Sequence, residues 1–96
     1  MSEEKKTVIT VPASLLRWLK FTPEQMRNAG YAQFRTTYWK TGESGFAVSD
    51  PDGNLVDASF SRTERSSWAN ASHSVSTDVR YGLLARGFKL EVDLND

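Results

Sequence analysis

"GFAVSDPDGNLVDASF", Gly45–Phe60, is the stretch on which the reading of this chain turns. Two arms of alternating apolar residues flank Asp50-Pro51-Asp52-Gly53-Asn54. Phe46 and Val48 share one face of the first arm. Val56, Ala58 and Phe60 share one face of the second. A period of two marks half-buried strands, and Pro, Asp, Gly and Asn are turn formers. The stretch therefore reads as a β-hairpin. A calcium loop of the EF-hand type needs Gly at its sixth position and Glu at its twelfth. Counted from Asp50, Gly53 stands fourth and Ser61 twelfth, so the spacing fails. Acid–base work by paired carboxylates requires one of them to be desolvated, and turn-tip aspartates are solvated. Asp50, Asp52 and Asp57 remain as an acidic patch suited to a basic partner.

Outward from the hairpin, Tyr31–Trp39 carries two threonines and several aromatics and reads as a third strand, giving an antiparallel meander. Before it, "FTPEQM" is a helix start. Thr22 is an N-cap, Pro23 suits the first helical position, and Gln25 completes a capping box. Phe21 and Met26 fit a hydrophobic staple, and Gly30 fits the stop. "SLLRWLK", Ser14–Lys20, reads as a short helix and "TVITV", Thr7–Val11, as a strand. After the hairpin, Trp68, Ala71, Val75, Val79 and Leu83 recur at spacings of three and four, which predicts a helix within 63–86. Its centre, "SHSVST", is rich in residues that compete for backbone hydrogen bonds. The expectation is one helix with a soft middle or two helices, with Gly87 as the stop. Phe88–Leu94 alternates as a strand with Phe88, Leu90, Val92 and Leu94 inward.

The order β-α-β-β-β-α-β predicts an α+β domain, a mostly antiparallel sheet with helices on one face. If 31–39 joined the first helix, the alternative is a ferredoxin-like β-α-β-β-α-β unit. Ninety-six residues make one domain, here 7–96, with the polar segment 1–6 as a flexible tail. Either Thr7–Val11 or Phe88–Leu94, if placed at a sheet edge, offers a surface for pairing with a second copy. The oligomeric expectation is monomer or homodimer.

The chain has no cysteine, which excludes disulfides, thiolate metal sites and cysteine nucleophiles. A small domain without disulfides is expected in the cytoplasm. The start lacks a signal-peptide pattern, and no apolar run reaches the ~18 residues of a membrane span. Twelve basic and twelve acidic residues give a net charge of zero. Nucleic-acid modules more often show a basic surplus. The charge is nevertheless uneven. Thr41–Ser61 has no Lys or Arg, whereas Leu15–Lys40 carries Arg17, Lys20, Arg27, Arg35 and Lys40 against Glu24.

His73, the single histidine, falls on the polar side of the predicted helix and reads as a solvated surface residue. Ser74, His73 and Asp78 do not form a credible triad, because neighbours on a helix point apart. One histidine without cysteine makes a poor zinc site. No glycine-rich phosphate fingerprint is present. Neither a cofactor nor a metal is expected. On the strand 31–39, Tyr31, Arg35 and Trp39 share one face, and Ala32, Phe34, Thr36 and Tyr38 the other. If the second face is core, the first presents residue types enriched at binding hot spots.

"GFAVSDPDGNLVDASFSRTERSSW", Gly45–Trp68, resembles the strand–turn–strand–helix of the small arm-type DNA-binding domains of tyrosine recombinases. The resemblance covers about a quarter of the chain and implies architecture only. Asp50, Asp52 and Asp57 stand in the hairpin, without a basic residue to meet phosphates. The expected function is that of a small, non-enzymatic intracellular binding protein. It would act by protein–protein contact through Tyr31, Arg35 and Trp39, in the manner of phage or plasmid accessory and inhibitor proteins. The alternative is a nucleic-acid-binding regulator using the basic segment 17–40 with aromatic stacking.

Overall fold

The computed structural model describes residues 6–61 and 63–95, the side chains of 57–61 excepted. Strand β1 (Thr7–Pro12) runs into a 3₁₀ segment (Ala13–Trp18) and then α1 (Pro23–Asn28). Strands β2 (Ala32–Thr37), β3 (Ser44–Ser49) and β4 (Leu55–Ser61) follow, then α2 (Glu64–Arg80) and β5 (Phe88–Asp93). The fold is α+β in the expected order. Residues 32–37 form a strand, so the ferredoxin-like alternative does not apply.

The strands divide between two sheets. β2, β3 and β4 form the antiparallel meander, and β1 pairs with β5 in parallel. Helix α2 touches every strand of the meander and also β5, so it bridges the two sheets. Its buried stripe is Trp68, Ala71, Val75 and Val79. Ser67, Ser72 and Ser76 are buried beside that stripe, and their small side chains let neighbouring segments approach closely. The hydroxyls explain why the serine-rich centre does not break the helix. Ser67 Oγ donates to the Glu64 carbonyl and accepts from Gln33 Nε2, Ser72 Oγ bonds Phe21, and Thr77 Oγ1 donates to the His73 carbonyl. The hydroxyls of Ser67 and Thr77 share helix carbonyls that keep a second lone pair, and Ser72 finds its partner outside the helix, so these side chains leave the helix N–H groups to the ladder. The helix stops at Tyr81 and Gly82, whose φ of 74° suits glycine, rather than at Gly87. Leu83 therefore lies beyond the helix and is exposed.

The cap of α1 is as the sequence predicts. Thr22 Oγ1 accepts from the Gln25 N–H, and Gln25 Oε1 accepts from the Thr22 N–H. Phe21 and Met26 are both buried, and Phe21 stacks on Phe88 with centroids 4.1 Å apart. That stack joins the parallel pair to the rest of the core. In β5 only Phe88 is buried. Leu90 is half-buried, while Val92 and Leu94 are exposed, because the strand runs out past the covering elements.

Residues 50–54 form a turn whose hydrogen bonds are internal. Asp50 Oδ1 accepts from the N–H groups of Asp52 and Asn54, and the Asp50 carbonyl accepts from Gly53. Pro51 packs against Gly30 and Gly87. At Gly87, with φ at 82°, a Cβ would stand 2.5 Å from the Ala29 carbonyl oxygen. Gly42 has a similar φ of 75° and open space around it. Gly42→Ala should therefore cost only the left-handed penalty of about 1–2 kcal/mol. Gly87→Ala should cost clearly more in a urea denaturation series. Equal costs would show that the close approach of Ala29 and Pro51 is not a constraint.

Candidate functional site

The residues expected to form a partner surface do not assemble into one. The side of β2 that carries Gln33 faces α2, since the Gln33 amide donates to the Glu64 carbonyl at 2.9 Å and to Ser67 Oγ at 2.6 Å. Phe34, expected in the core, is exposed instead. Tyr31 is only 5% exposed, with its ring against Phe88 and its hydroxyl donating to the Arg86 carbonyl. Tyr31 is thus a core residue. Arg35 is exposed with its guanidinium 5.2 Å from the Phe46 ring centroid, beside its cross-strand neighbour. Trp39 is 81% exposed in the turn between β2 and β3, with Lys40 Nζ 5.2 Å from its ring centroid.

In the acidic patch, Asp50 and Asp52 both face Arg86, which pairs with Asp52 Oδ2 and lies 3.8 Å from Asp50 Oδ2. Their charge is engaged within the fold. The side chain of Asp57 lies outside the described residues. Among the described residues, no three His, Cys, Asp or Glu side chains are grouped as a metal site would require. No helix among them is long and apolar enough to cross a membrane.

A different surface collects the chemistry. A groove of about 560 Å³ lies between residues 17–23 and α2, a volume within the ~300–1,000 Å³ of ordinary ligand pockets. Its apolar lining includes Phe21, Pro23 and the indole of Trp68. Trp18 forms one wall and is 65% exposed. Four fixed cations line the same groove: Arg17 and Lys20 from the segment, Arg65 and Arg80 from α2. His73, exposed as expected, is also part of it. Among the described residues, no carboxylate lines the groove and none pairs with these four cations.

The walls are held together by named bonds. Ser72 Oγ donates to the Phe21 carbonyl at 2.7 Å and accepts from the Phe21 N–H at 3.0 Å. Arg80 Nη1 donates to the Arg17 carbonyl at 3.0 Å. The guanidinium of Arg17 lies 5.5 Å from the Trp18 ring centroid, and that of Arg27 lies 5.5 Å from the Trp68 centroid. Both distances are within cation–π range. Ser76 Oγ, also part of the lining, is buried and has no hydrogen-bond partner among the described residues.

Of the basic residues singled out in 17–40, Arg17 and Lys20 line the groove and Arg27 borders it through Trp68. Arg35 and Lys40 lie elsewhere, on β2 and in the following turn. Arg65 and Arg80 escaped the sequence reading, which takes His73 only as a solvated surface residue. Their signal is present, since Arg65, Ala69, Ser72, Ser76 and Arg80 follow one another at helical spacings of three and four, beside the core stripe. No protein family, no curated protein and no solved structure matches the chain.

The Tyr31 phenol is pushed from its ordinary 10.0 up to about 12, first by burial, then by the carboxylates of Asp50 and Asp78, with Arg86 opposing them. A raised folded-state value means that the folded protein holds its proton longer than the unfolded chain. Stability from this source is complete below pH 10 and is lost as the pH climbs toward 12. Melting curves taken across that window should fall more steeply for the wild type than for Tyr31→Phe. Parallel curves would mean that Tyr31 titrates as an open phenol.

Proposed function

We propose that this chain is a small non-catalytic binding protein that grips a protein partner in the groove between residues 17–23 and α2. The partner offers an acidic segment with an apolar or aromatic anchor. One observation carries this reading: among the described residues, four cations with no carboxylate beside them surround an apolar, indole-bearing lining. Like charges gathered on one surface repel until a counter-charge arrives, and low-dielectric walls focus their field on an incoming anion. Charge-assisted hydrogen bonds from Arg to a carboxylate are the strong ones, and often bidentate. Trp and Arg are also the residue types that dominate hot spots. The zero net charge keeps the attraction local, which suits a short acidic segment better than a long polyanion. A protein that acts by filling a site on a partner fits an accessory or inhibitor role, including roles of phage or plasmid type.

A second reading has its own support. Arg17 lies over Trp18, whose ring is largely exposed, and a cation beside an open indole is also a platform for a stacked base and its phosphate. Under this reading the partner is single-stranded nucleic acid.

Capture from native lysate with three baits separates the readings: wild type, Lys20→Glu/Arg65→Glu and Trp18→Ala. Neither the Lys20 nor the Arg65 side chain makes a hydrogen bond or ion pair among the described residues, so the double variant should melt like the wild type. It should lose its partner by at least about tenfold in affinity, and nuclease should leave wild-type capture intact. Capture abolished by nuclease, with steep salt dependence, transfers the weight to the nucleic-acid reading. Capture unchanged in both variants rules the groove out as the working surface.

A further inference from the structure

The pairing of β1 with β5 is unusual in its setting. Parallel strands ordinarily sit inside larger sheets with both faces covered. Here the parallel sheet has two strands, and among the described residues neither has a further neighbour. Thr7, Ile9 and Val11 align with Phe88, Leu90 and Val92 on the face toward the core. Val8 and Thr10 lie on the opposite face and are exposed, Val8 by 50%.

The hydrogen-bond phase of β1 is fixed at its start, where the Thr7 N–H donates to the Gly87 carbonyl at 3.0 Å. Alternate residues of a parallel strand bond to the same neighbour. The N–H and C=O groups of Thr7, Ile9 and Val11 therefore point to β5, and those of Val8 and Thr10 point away from it. Among the described residues nothing donates to or accepts from those outward groups. Natural proteins blunt open edges with charges, prolines or bulges. β5 carries Lys89, Glu91 and Asp93, with Lys89 Nζ 4.0 Å from Glu91 Oε1. β1 has no charge from Thr7 to Pro12, and five of its six residues, Thr7, Val8, Ile9, Thr10 and Val11, are consecutive and β-branched.

We infer that β1 is an assembly edge that pairs antiparallel with β1 of a second copy, about a two-fold axis at Ile9. This register is self-complementary in its backbone. Val8 lies opposite Thr10 of the second copy, so outward groups meet outward groups and each residue both donates and accepts. The symmetry operation repeats the exchange at Thr10 and Val8, as an isologous contact requires. The cross-strand neighbours are Val with Thr and Ile with Ile, uncharged β-branched pairs that favour sheet pairing. Pro12 has no N–H, so it ends the ladder and discourages a slide that would place it opposite Val8. The result is a four-stranded sheet in the order β5-β1-β1-β5, an ordinary size for a sheet, where a lone strand pair is marginal. None of this uses the groove, so the two proposals stand or fall separately.

Thr10→Pro is the discriminating variant. It removes one outward N–H and leaves the ladder to β5 intact, and proline is tolerated at such edge positions. Mass should be measured over a wide concentration range by sedimentation, together with amide exchange at Val8 and Thr10. The wild type should be a dimer with both amides protected. Thr10→Pro should keep its circular dichroism and raise the dimer dissociation constant by at least about tenfold. If Thr10→Pro fails to fold, the wild-type exchange decides the matter. A wild type that stays monomeric, fast exchange at Val8 and Thr10, or a folded Thr10→Pro that dimerises as before would each overturn the inference.

Discussion

Ser72 bonds both the N–H and the carbonyl of Phe21, fifty-one residues away in the chain, and it does so in the buried interior. Much depends on that contact. It fastens an otherwise irregular connection to the middle of α2. It places the Phe21 ring against Phe88, and so brings β5 into the common core. It also sets residues 17–20 at a fixed height above α2, which opens the groove and aligns its cations. A backbone unit buried without partners costs about as much as its lost hydrogen bonds, so the polar groups of Phe21 need a donor and an acceptor there. A single hydroxyl supplies both.

Helix α2 extends the same logic along its length. Ser67 receives the Gln33 amide from β2, and the apolar stripe between the serines packs into both sheets. Two sheets that share no strand are thereby tied to one rod. The far side is closed by the turn at 50–54, where Pro51 lies against Gly30 and Gly87 while Arg86 meets Asp50 and Asp52. The acidic knot in the hairpin is thus explained by folding: its carboxylates organise the turn and hold the loop ahead of β5.

The parts of this arrangement legible in the sequence are those set by local chemistry. The hairpin showed in its period of two and its turn residues, α1 in its capping box, and α2 in Trp68, Ala71, Val75 and Val79. What escaped was non-local. Alternation in β2 defines two faces without saying which is covered, and the Gln33 amide decides it by bonding α2. Alternation in β5 suggested that Val92 and Leu94 point inward, but the strand outruns its cover. The separation into two sheets depends on β1 meeting β5 from the other end of the chain. The groove was half visible. Arg17 and Lys20 stood out in a basic segment, whereas Arg65 and Arg80 join them only once α2 is set beside residues 17–23. Tyr31 and Trp39 have similar aromatic character, and only packing separates a core phenol from an exposed indole.

The most direct test of this account is the stability of Ser72→Ala, measured by urea denaturation together with hydrogen exchange at the Phe21 amide. The account predicts a loss of about 2–3 kcal/mol, since two buried backbone groups lose their partner at once. It also predicts an accelerated Phe21 amide, with α2 still helical by circular dichroism. A Ser72→Ala protein as stable as the wild type, with the Phe21 amide still protected, would contradict it.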